Sequence, residues 1–325
     1  MNYPQRSRII TQSFHRRDEA RNGELSADDL HKDYMAVHYP YPTIVQASGN
    51  YWLGDDDDIT PPADEFVNHK GFNSLTVGNH NDAATTISDD SVFRNPNSPH
   101  GDRELPEIAA NGDAVTAVGR MSNGTSLSSP AVAGTVALLH EANTGLRIWP
   151  EGNRAVLLAG ATQNVSGNTW QQDVSAGVDA RDGSGALNAE ESVQIALNRI
   201  SINNSASTRG WNVGTLVDSS FGSGDHPEST FSYHIQVPST GGNHVKVALA
   251  WNSEVTNSPA TSELIIDMDI LVYDGSSIVA SSASWDNSYE IAEFNGVAGR
   301  TYTVKLRRWS GAGEQTFYGL AWSVH

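Results

Sequence analysis

The chain has 325 residues, with 38 Asp and Glu against 20 Lys and Arg, and its formal net charge is −18. It has no cysteine, which excludes disulfides, thiol catalysis and zinc–cysteine sites. A chain this acidic would repel nucleic-acid phosphates and anionic lipid. We therefore expect neither nucleic acid nor a membrane as a partner.

Residues 1–202 alternate short apolar strands with helices, which predicts a mostly parallel sheet covered by helices. The strand candidates are short runs of β-branched and apolar residues, at 8–14, 43–47 and 74–77. Three later helices are predicted: one ending near Ala142, one beginning at Trp149-Pro150, and one capped by Asn188 and running to about Ile200.

The first helix is predicted from Ala27 to about His38, because Ser26 can cap its first turn while Asp29 stands at the third position. One face of this helix carries its apolar side chains, which are Leu30, Tyr34 and Val37. We expect that face to be the buried one.

The polar segment 203–210 is interpreted as a linker between two domains. Beyond it, apolar and polar residues alternate in four runs separated by turn residues, at 231–237, 245–251, 302–306 and 318–324. This period of two predicts an all-β sandwich over residues 211–325. The predicted fold class is thus α/β, followed by a β-sandwich.

The strongest chemical signal is the segment 123–134, which reads Asn-Gly-Thr-Ser-Leu-Ser-Ser-Pro-Ala-Val-Ala-Gly. It places the Ser126 hydroxyl at the positive end of a helix whose small residues permit close packing. A buried helix merely capped by Thr125 or Ser126 would have a similar composition. The whole string, however, resembles the nucleophile motif of the subtilisin-like serine peptidases (subtilases), Gly-Thr-Ser-x-Ala/Ser-x-Pro-x-Val-Ala-Gly.

Three other segments resemble subtilase segments in the same order along the chain. Residues 47–50 (Ala-Ser-Gly-Asn) are similar to the oxyanion-hole segment, 74–78 to the strand after it, and 105–112 to the segment before the nucleophile. The resemblance implies part of a subtilisin-like domain over 1–202. It also implies a serine endopeptidase that cleaves peptide or protein substrates through an acyl-enzyme.

By this resemblance, Ser126 would attack the scissile carbonyl, while the Asn50 side-chain amide and the Ser126 N–H would bind the oxyanion. The implied substrate-binding residues are Ser13, Phe14 and His15 of an edge strand, Val45, Gln46, Ala47, Ser48 and Gly49 of the specificity pocket, and Gly124 and Thr125 before the nucleophile. The departures from the family pattern are His15 in place of glycine, Ser48 in place of alanine and Asn111 in place of proline.

The general base of the family is missing from the sequence. The triad order in subtilases is Asp, His, Ser, yet the 49 residues before Asn50 contain neither an Asp-x-Gly strand end nor a His-Gly helix. His100 and His140 match no family segment and are interpreted as surface or packing residues. An unactivated serine is a poor nucleophile, so we expect the chain alone to be nearly inert.

Three explanations stay open at this point. The chain is a fragment starting at an internal methionine, or the second half of a split enzyme whose missing half comes from a separate chain. Alternatively, it is an inactive relative that binds peptide, sugar or a partner protein. Intact Ser126 and Asn50 favour an enzyme, whereas His15 and Asn111 favour the inactive relative.

Residues 211–325 also resemble the C-terminal jelly-roll sandwich of larger bacterial alkaline subtilases, on the segments 247–252, 267–272 and 299–304. The chemistry needs no cofactor, but such a domain can bind structural calcium, and three carboxylates could supply its ligands: Asp267, Asp269 and Asp274. A strand whose acidic side faces water explains them as well. The family habit implies a secreted protein, although residues 1–6 show no signal peptide.

Overall fold

The computed structural model describes residues 7–14, 24–51, 67, 69–93, 104–161, 183–203, 205–257 and 260–325. Its α-helices are α1 (Ala27–Ala36), α2 (Thr125–Ala142), α3 (Pro150–Gly160) and α4 (Ala189–Ala196). Short 3₁₀ helices lie at Thr144–Ile148 and Asp218–Ser220. None of the helices in these residues is long and apolar enough to cross a membrane.

The first region contains a four-stranded parallel sheet in the order β1-β2-β3-β4, with β1 at its edge. Its strands are β1 (Ile9–Gln12), β2 (Thr43–Ala47), β3 (Leu75–His80) and β4 (Ile108–Asn111), and a separate hairpin follows as β5 (Val115–Ala117) and β6 (Arg120–Ser122). Every residue of β2 and β3 is buried, as expected for a parallel sheet covered on both faces. The α/β prediction is confirmed.

The second region is built from antiparallel strands. They are β7 (Arg209–Leu216), β8 (Tyr233–Gln236), β9 (His244–Trp251), β10 (Glu254–Asn257), β11 (Ala260–Glu263), β12 (Asp267–Asp274), β13 (Ser277–Ser282), β14 (Tyr289–Asn295), β15 (Thr301–Ser310) and β16 (Thr316–Val324). Two four-stranded sheets, β13-β12-β15-β8 and β14-β9-β16-β7, enclose an apolar core that contains Trp251 and Trp322. This arrangement agrees with the predicted sandwich.

The junction between the two regions is hydrogen-bonded to the sandwich. Strand β7 already begins at Arg209, and the Ser207 N–H donates to the His234 carbonyl at 3.2 Å. Helix α4 ends at Ala196, before the predicted Ile200, because the chain turns there to pair with β7. The Ile200 N–H donates to the Trp211 carbonyl at 2.9 Å.

The buried face of α1 differs from the expectation. Its Ser26 capping box with Asp29 is present, but Leu30, Tyr34 and Val37 are only half-buried, and the buried residues are Asp29, Lys32, Asp33 and Ala36. The carboxylates face inward because they accept backbone hydrogen bonds from the loop before β3. The N–H groups of Lys70 and Asn73 donate to Asp29 and Asp33 at 3.0 and 2.8 Å.

Helix α3 lies between the parallel sheet and the sandwich, and all eleven of its residues are buried. It packs against β2 on one side and against β9 and β16 on the other, so a single apolar core runs through both regions. The approach is close at Gly319, where a Cβ atom would lie 2.5 Å from the Glu151 carbonyl oxygen. Any side chain at position 319 would push the helix off the sandwich.

Polar contacts reinforce the same interface. The Ser262 hydroxyl donates to Asp33 at 2.6 Å, and the Ser253 N–H donates to the Asn73 side-chain oxygen at 2.8 Å. The Tyr289 hydroxyl donates to the Glu104 carbonyl at 2.8 Å. These buried polar groups use part of their hydrogen-bonding capacity across the interface, which ties the two regions together.

Glu151 makes this interface sensitive to pH. Burial raises the pKa of its carboxyl to about 7, although Asn252 donates to it at 3.2 Å. A raised folded-state pKa gives stability that is present below the unfolded value near 4.5 and is lost as the pH rises through about 7. Glu151→Gln should therefore stabilise the protein more at pH 8 than at pH 5, by about 2–3 kcal/mol in urea unfolding. An equal effect at both pH values would contradict the assignment.

Candidate active site

Ser126 lies in the first turn of α2, at the end of a loop that only glycine can close. Gly124, the residue before the helix, has φ of 130°, a backbone conformation that other residues rarely adopt. The Ser126 side chain is half-buried. Within the described residues its hydroxyl makes no hydrogen bond, so it is free to meet a ligand.

Pro130 leaves the Ser126 carbonyl without its usual helical donor. In an α-helix the N–H of residue 130 would donate to the carbonyl of residue 126, but proline has no N–H. The Ser13 hydroxyl donates to the Ser126 carbonyl instead, at 3.1 Å. A second contact joins Thr11 and Ser129, whose hydroxyl oxygens are 3.0 Å apart. The edge strand β1 and the residues after it are thereby fixed against the nucleophile helix.

Asn50, just beyond the end of β2, is held by the residue that precedes the nucleophile. Its Oδ1 accepts the Thr125 N–H at 2.9 Å and lies 3.1 Å from the Thr125 hydroxyl. The same hydroxyl accepts the Gly49 N–H at 3.2 Å. These contacts hold the carboxamide beside the first turn of α2 through its oxygen.

Two hydrogen-bond donors are left over at this position. Neither the Asn50 Nδ2 nor the Ser126 N–H has an acceptor in the part of the chain that the structure describes. Both stand at the N-terminus of α2, where the helix dipole favours negative charge. The arrangement can stabilise an anion that develops next to the Ser126 hydroxyl.

The sequence profile of the subtilase family, peptidase family S8, matches residues 1–224. The chain belongs to the subtilase family. Membership supports a function of the serine-peptidase kind in general. No curated protein matches the chain.

Solved structures with similarity to this subtilase include a protease from Pseudoalteromonas arctica and the patellamide maturation protease PatA. The first has 18% identity over 58% of this chain and 51% of its own, with a TM-score of 0.39. The second has 20% identity over 54% of this chain and 58% of its own, with a TM-score of 0.36. The chain thus spans little more than half the length of either. A collagenase pre-peptidase C-terminal domain from Bacillus anthracis matches at 18% identity over 39% of this chain and 93% of its own, with a TM-score of 0.24.

The residues proposed to bind substrate differ in their exposure to solvent in this subtilase. Ser13 and Phe14 are exposed beside α2, whereas His15 lies outside the described residues. The strand and loop residues before Asn50 are all buried: Val45, Gln46, Ala47, Ser48 and Gly49. Gly124 and Thr125 are buried too.

An open cleft of about 820 Å³ lies beside the nucleophile loop, and Asn123 and Met121 form part of its wall. Three acidic residues also line it: Asp89, Asp90 and Asp113. Burial and then the neighbouring carboxylates raise the pKa of Asp90, while a hydrogen bond from Asn79 opposes the shift. A basic segment of a bound chain would be favoured in this cleft.

The described histidines do not serve Ser126. His140 lies on α2, but its Nε2 is 3.2 Å from the Asn153 side-chain amide, and burial followed by the Arg147 charge lowers its pKa to about 4. His80 contacts the Asn81 carbonyl through Nδ1 at 2.7 Å. No histidine in the described segments contacts the Ser126 hydroxyl, and His100 lies outside them.

The three carboxylates considered as calcium ligands do not converge. Asp269 accepts from Arg307 at 2.6 Å, and Asp274 accepts from Arg300 at 2.8 Å. Asp274 also differs from Asp267 in strand parity, so the two side chains point to opposite faces of β12. Among the residues described, no three acidic or histidine side chains are grouped to hold a metal ion.

Sequence reasoning missed a buried polar cluster behind the edge strand. Lys32 forms an ion pair with Asp28, and its Nζ is 2.7 Å from the Nδ1 of His69. The other imidazole nitrogen, Nε2, is 3.1 Å from the carbonyl oxygen of Phe14. The four-residue spacing of Asp28 and Lys32 was a visible signal for the ion pair, but nothing local connected it to position 69.

Proposed function

We propose that this chain supplies the nucleophile and the oxyanion-binding part of a serine endopeptidase site. The observation that supports the proposal is the pair of Thr125 contacts to Asn50 Oδ1, at 2.9 and 3.1 Å, which hold the Asn50 carboxamide beside the first turn of α2. Ser126 lies in that turn. Its hydroxyl and the two donors, which have no partner among the described residues, support a role in acyl transfer.

In the proposed reaction the Ser126 Oγ attacks the scissile carbonyl of a peptide or protein substrate. The carbonyl oxygen then carries negative charge and accepts hydrogen bonds from Asn50 Nδ2 and the Ser126 N–H. The substrate main chain pairs with the edge of the sheet next to Ser13. The proposed chemistry uses no cofactor.

The Ser126 proton needs an acceptor, and the proposal assigns that acceptor to a segment or separate polypeptide that presents the aspartate and histidine of the triad. The open edge of β1 is the place where such a segment could extend the sheet, since the described strands pair with β1 on one side only. Family membership also supports export of the protein as part of this proposal.

Labelling with an alkyl fluorophosphonate tests the proposal directly. The Ser126 oxygen forms a bond to phosphorus, fluoride leaves, and the hydroxyl proton goes to a base. Added imidazole can act as that base, so labelling of the purified chain should be slow alone and should rise with imidazole concentration. Mass spectrometry should locate the label on Ser126.

Ser126→Ala is the control for this experiment, with Ser122→Ala as a matched variant in the neighbouring strand. The first should abolish the labelling and the second should preserve it. If a folded sample remains unlabelled at every imidazole concentration, the result contradicts the proposal and favours the alternative of a non-catalytic relative. Heat-denatured chain shows how much labelling does not depend on the fold.

A further inference from the structure

We propose that His69 is a positioning residue for the substrate-pairing segment, because its imidazole holds the carbonyl group of Phe14. The inference rests on the proposed peptidase function. It names a residue that positions the main chain with which a bound peptide would pair. His69 is 2% exposed and lies in the loop before β3, 55 residues from Phe14 in sequence.

The partners of His69 leave one arrangement of its protons. Lys32 has only N–H donors, so Nδ1 must accept from it at 2.7 Å. The Phe14 carbonyl has only acceptor electron pairs, so Nε2 must carry the proton and donate at 3.1 Å. The ring is therefore a neutral imidazole. It is hydrogen-bonded to Lys32 on one side and to the Phe14 carbonyl on the other, so the position of Lys32 helps to fix the Phe14 main chain.

The charges around the ring keep it in this state. Burial and then the nearby Lys32 charge lower the pKa of His69 to about 4, against the opposing influence of Asp29 and Asp28. Protonation would place a second N–H against the Lys32 ammonium group, so the cluster resists it. Lys32 is itself fixed by its ion pair with Asp28 and by its position 5.6 Å from the centre of the Phe14 ring.

Fixing Phe14 determines where its neighbour points. The main-chain groups of successive residues in an extended segment point to opposite sides. When the Phe14 carbonyl is turned toward His69, the main-chain groups of Ser13 point toward the open edge, where a substrate strand would pair. The Ser13 hydroxyl meanwhile donates to the Ser126 carbonyl at 3.1 Å. His69 and α2 thus hold the segment from two directions.

Two replacements separate the hydrogen bond from the bulk of the ring. His69→Gln retains an N–H donor at the position of Nε2, whereas His69→Leu fills the space without a donor. His31→Leu, on the exposed side of α1, is the matched control. Hydrogen exchange followed by mass spectrometry should show the amides of residues 11–14 exchanging about tenfold faster in His69→Leu, as loss of one buried hydrogen bond implies. His69→Gln and His31→Leu should stay near the wild type.

A pair of probes tests the consequence for substrate. An alkyl fluorophosphonate has no peptide to pair with the segment, whereas a tripeptidyl diphenyl phosphonate does. With imidazole present, the ratio of peptidyl to alkyl labelling rates should fall about tenfold in His69→Leu and should recover in His69→Gln. If neither probe labels the wild type, the peptidase function fails, and the exchange experiment still decides the role of His69.

The proposal is overturned if His69→Leu changes neither exchange nor the rate ratio. It is equally overturned if His69→Gln behaves like His69→Leu, since the donated proton would then be irrelevant. Should His69→Leu fail to fold, ¹⁵N imidazole shifts of the wild type decide. They should show a neutral ring protonated at Nε2 from pH 8 down to about 5, following the low pKa, and a ring protonated at Nδ1 would refute the proposal.

Discussion

Replacing Asn50 with aspartate is expected to slow the imidazole-assisted labelling of Ser126 by a factor of about 10²–10³. This factor is the effect established for the oxyanion asparagine of subtilisin, a member of the same family, and it is transferred here as an expectation. Aspartate keeps the oxygen that accepts from Thr125, at 2.9 Å in the wild type, but loses the Nδ2 donor. The measurement is the second-order labelling rate at fixed imidazole concentration.

Asn123→Asp is the matched control for this prediction. Asn123 lies in the loop that leads to Ser126, and its Oδ1 accepts the Ala114 N–H at 2.8 Å, an interaction that aspartate preserves. The control therefore adds the same negative charge near Ser126 without removing an oxyanion donor. Equal losses in both variants would mean that the added charge slows the reaction, and the oxyanion role of Asn50 would be withdrawn.

Replacing Arg154 with methionine is expected to lower the free energy of unfolding by about 3–5 kcal/mol. Arg154, on α3, is 1% exposed, and its Nη2 lies 3.1 Å from Glu107, which is fully buried. It also donates to the Ser288 hydroxyl and the Trp251 carbonyl of the sandwich, at 2.8 and 3.3 Å. Methionine would leave the Glu107 carboxylate buried without its cation, at the junction of both regions.

Urea unfolding of four proteins completes this test: wild type, Arg154→Met, Glu107→Gln and the double variant. The double variant should be more stable than Arg154→Met, because a neutral amide replaces the uncompensated charge. Additive losses would show that the two groups do not interact. A loss below about 1 kcal/mol for Arg154→Met would mean that the pair behaves like an exposed salt bridge.

The sequence predicted the parts of the site that depend on short segments. Ser126 was placed at a helix N-terminus from the small residues and proline around it, and Asn50 at the end of a buried strand from the apolar run before it. Both signals are local, because caps, turns and strand ends are determined by neighbouring residues. The alternating strands of the sandwich were predictable for the same reason.

The polar interior was not predictable, because its partners are distant in sequence. Asp33 was not among the side chains expected to be buried, yet it accepts from Ser262, which is 229 residues away. From the sequence alone, Arg154 would be assigned to the exposed side of an amphipathic helix. In the structure, β9 and β14 pack against this helix and Arg154 is buried. A helical pattern assigns charged residues to water, and only the tertiary fold provides the alternative of a buried partner.

Helix α3 exposes no face to solvent. This limits which amino-acid substitutions and domain exchanges the protein can accept. A substitution on the helix has to fit two sheets at once, one in each region, so change in either region is restricted by the other. The sandwich therefore does not qualify as an interchangeable module. Exchanging it for a homologous domain would require redesigning the helix together with the parallel sheet beneath it.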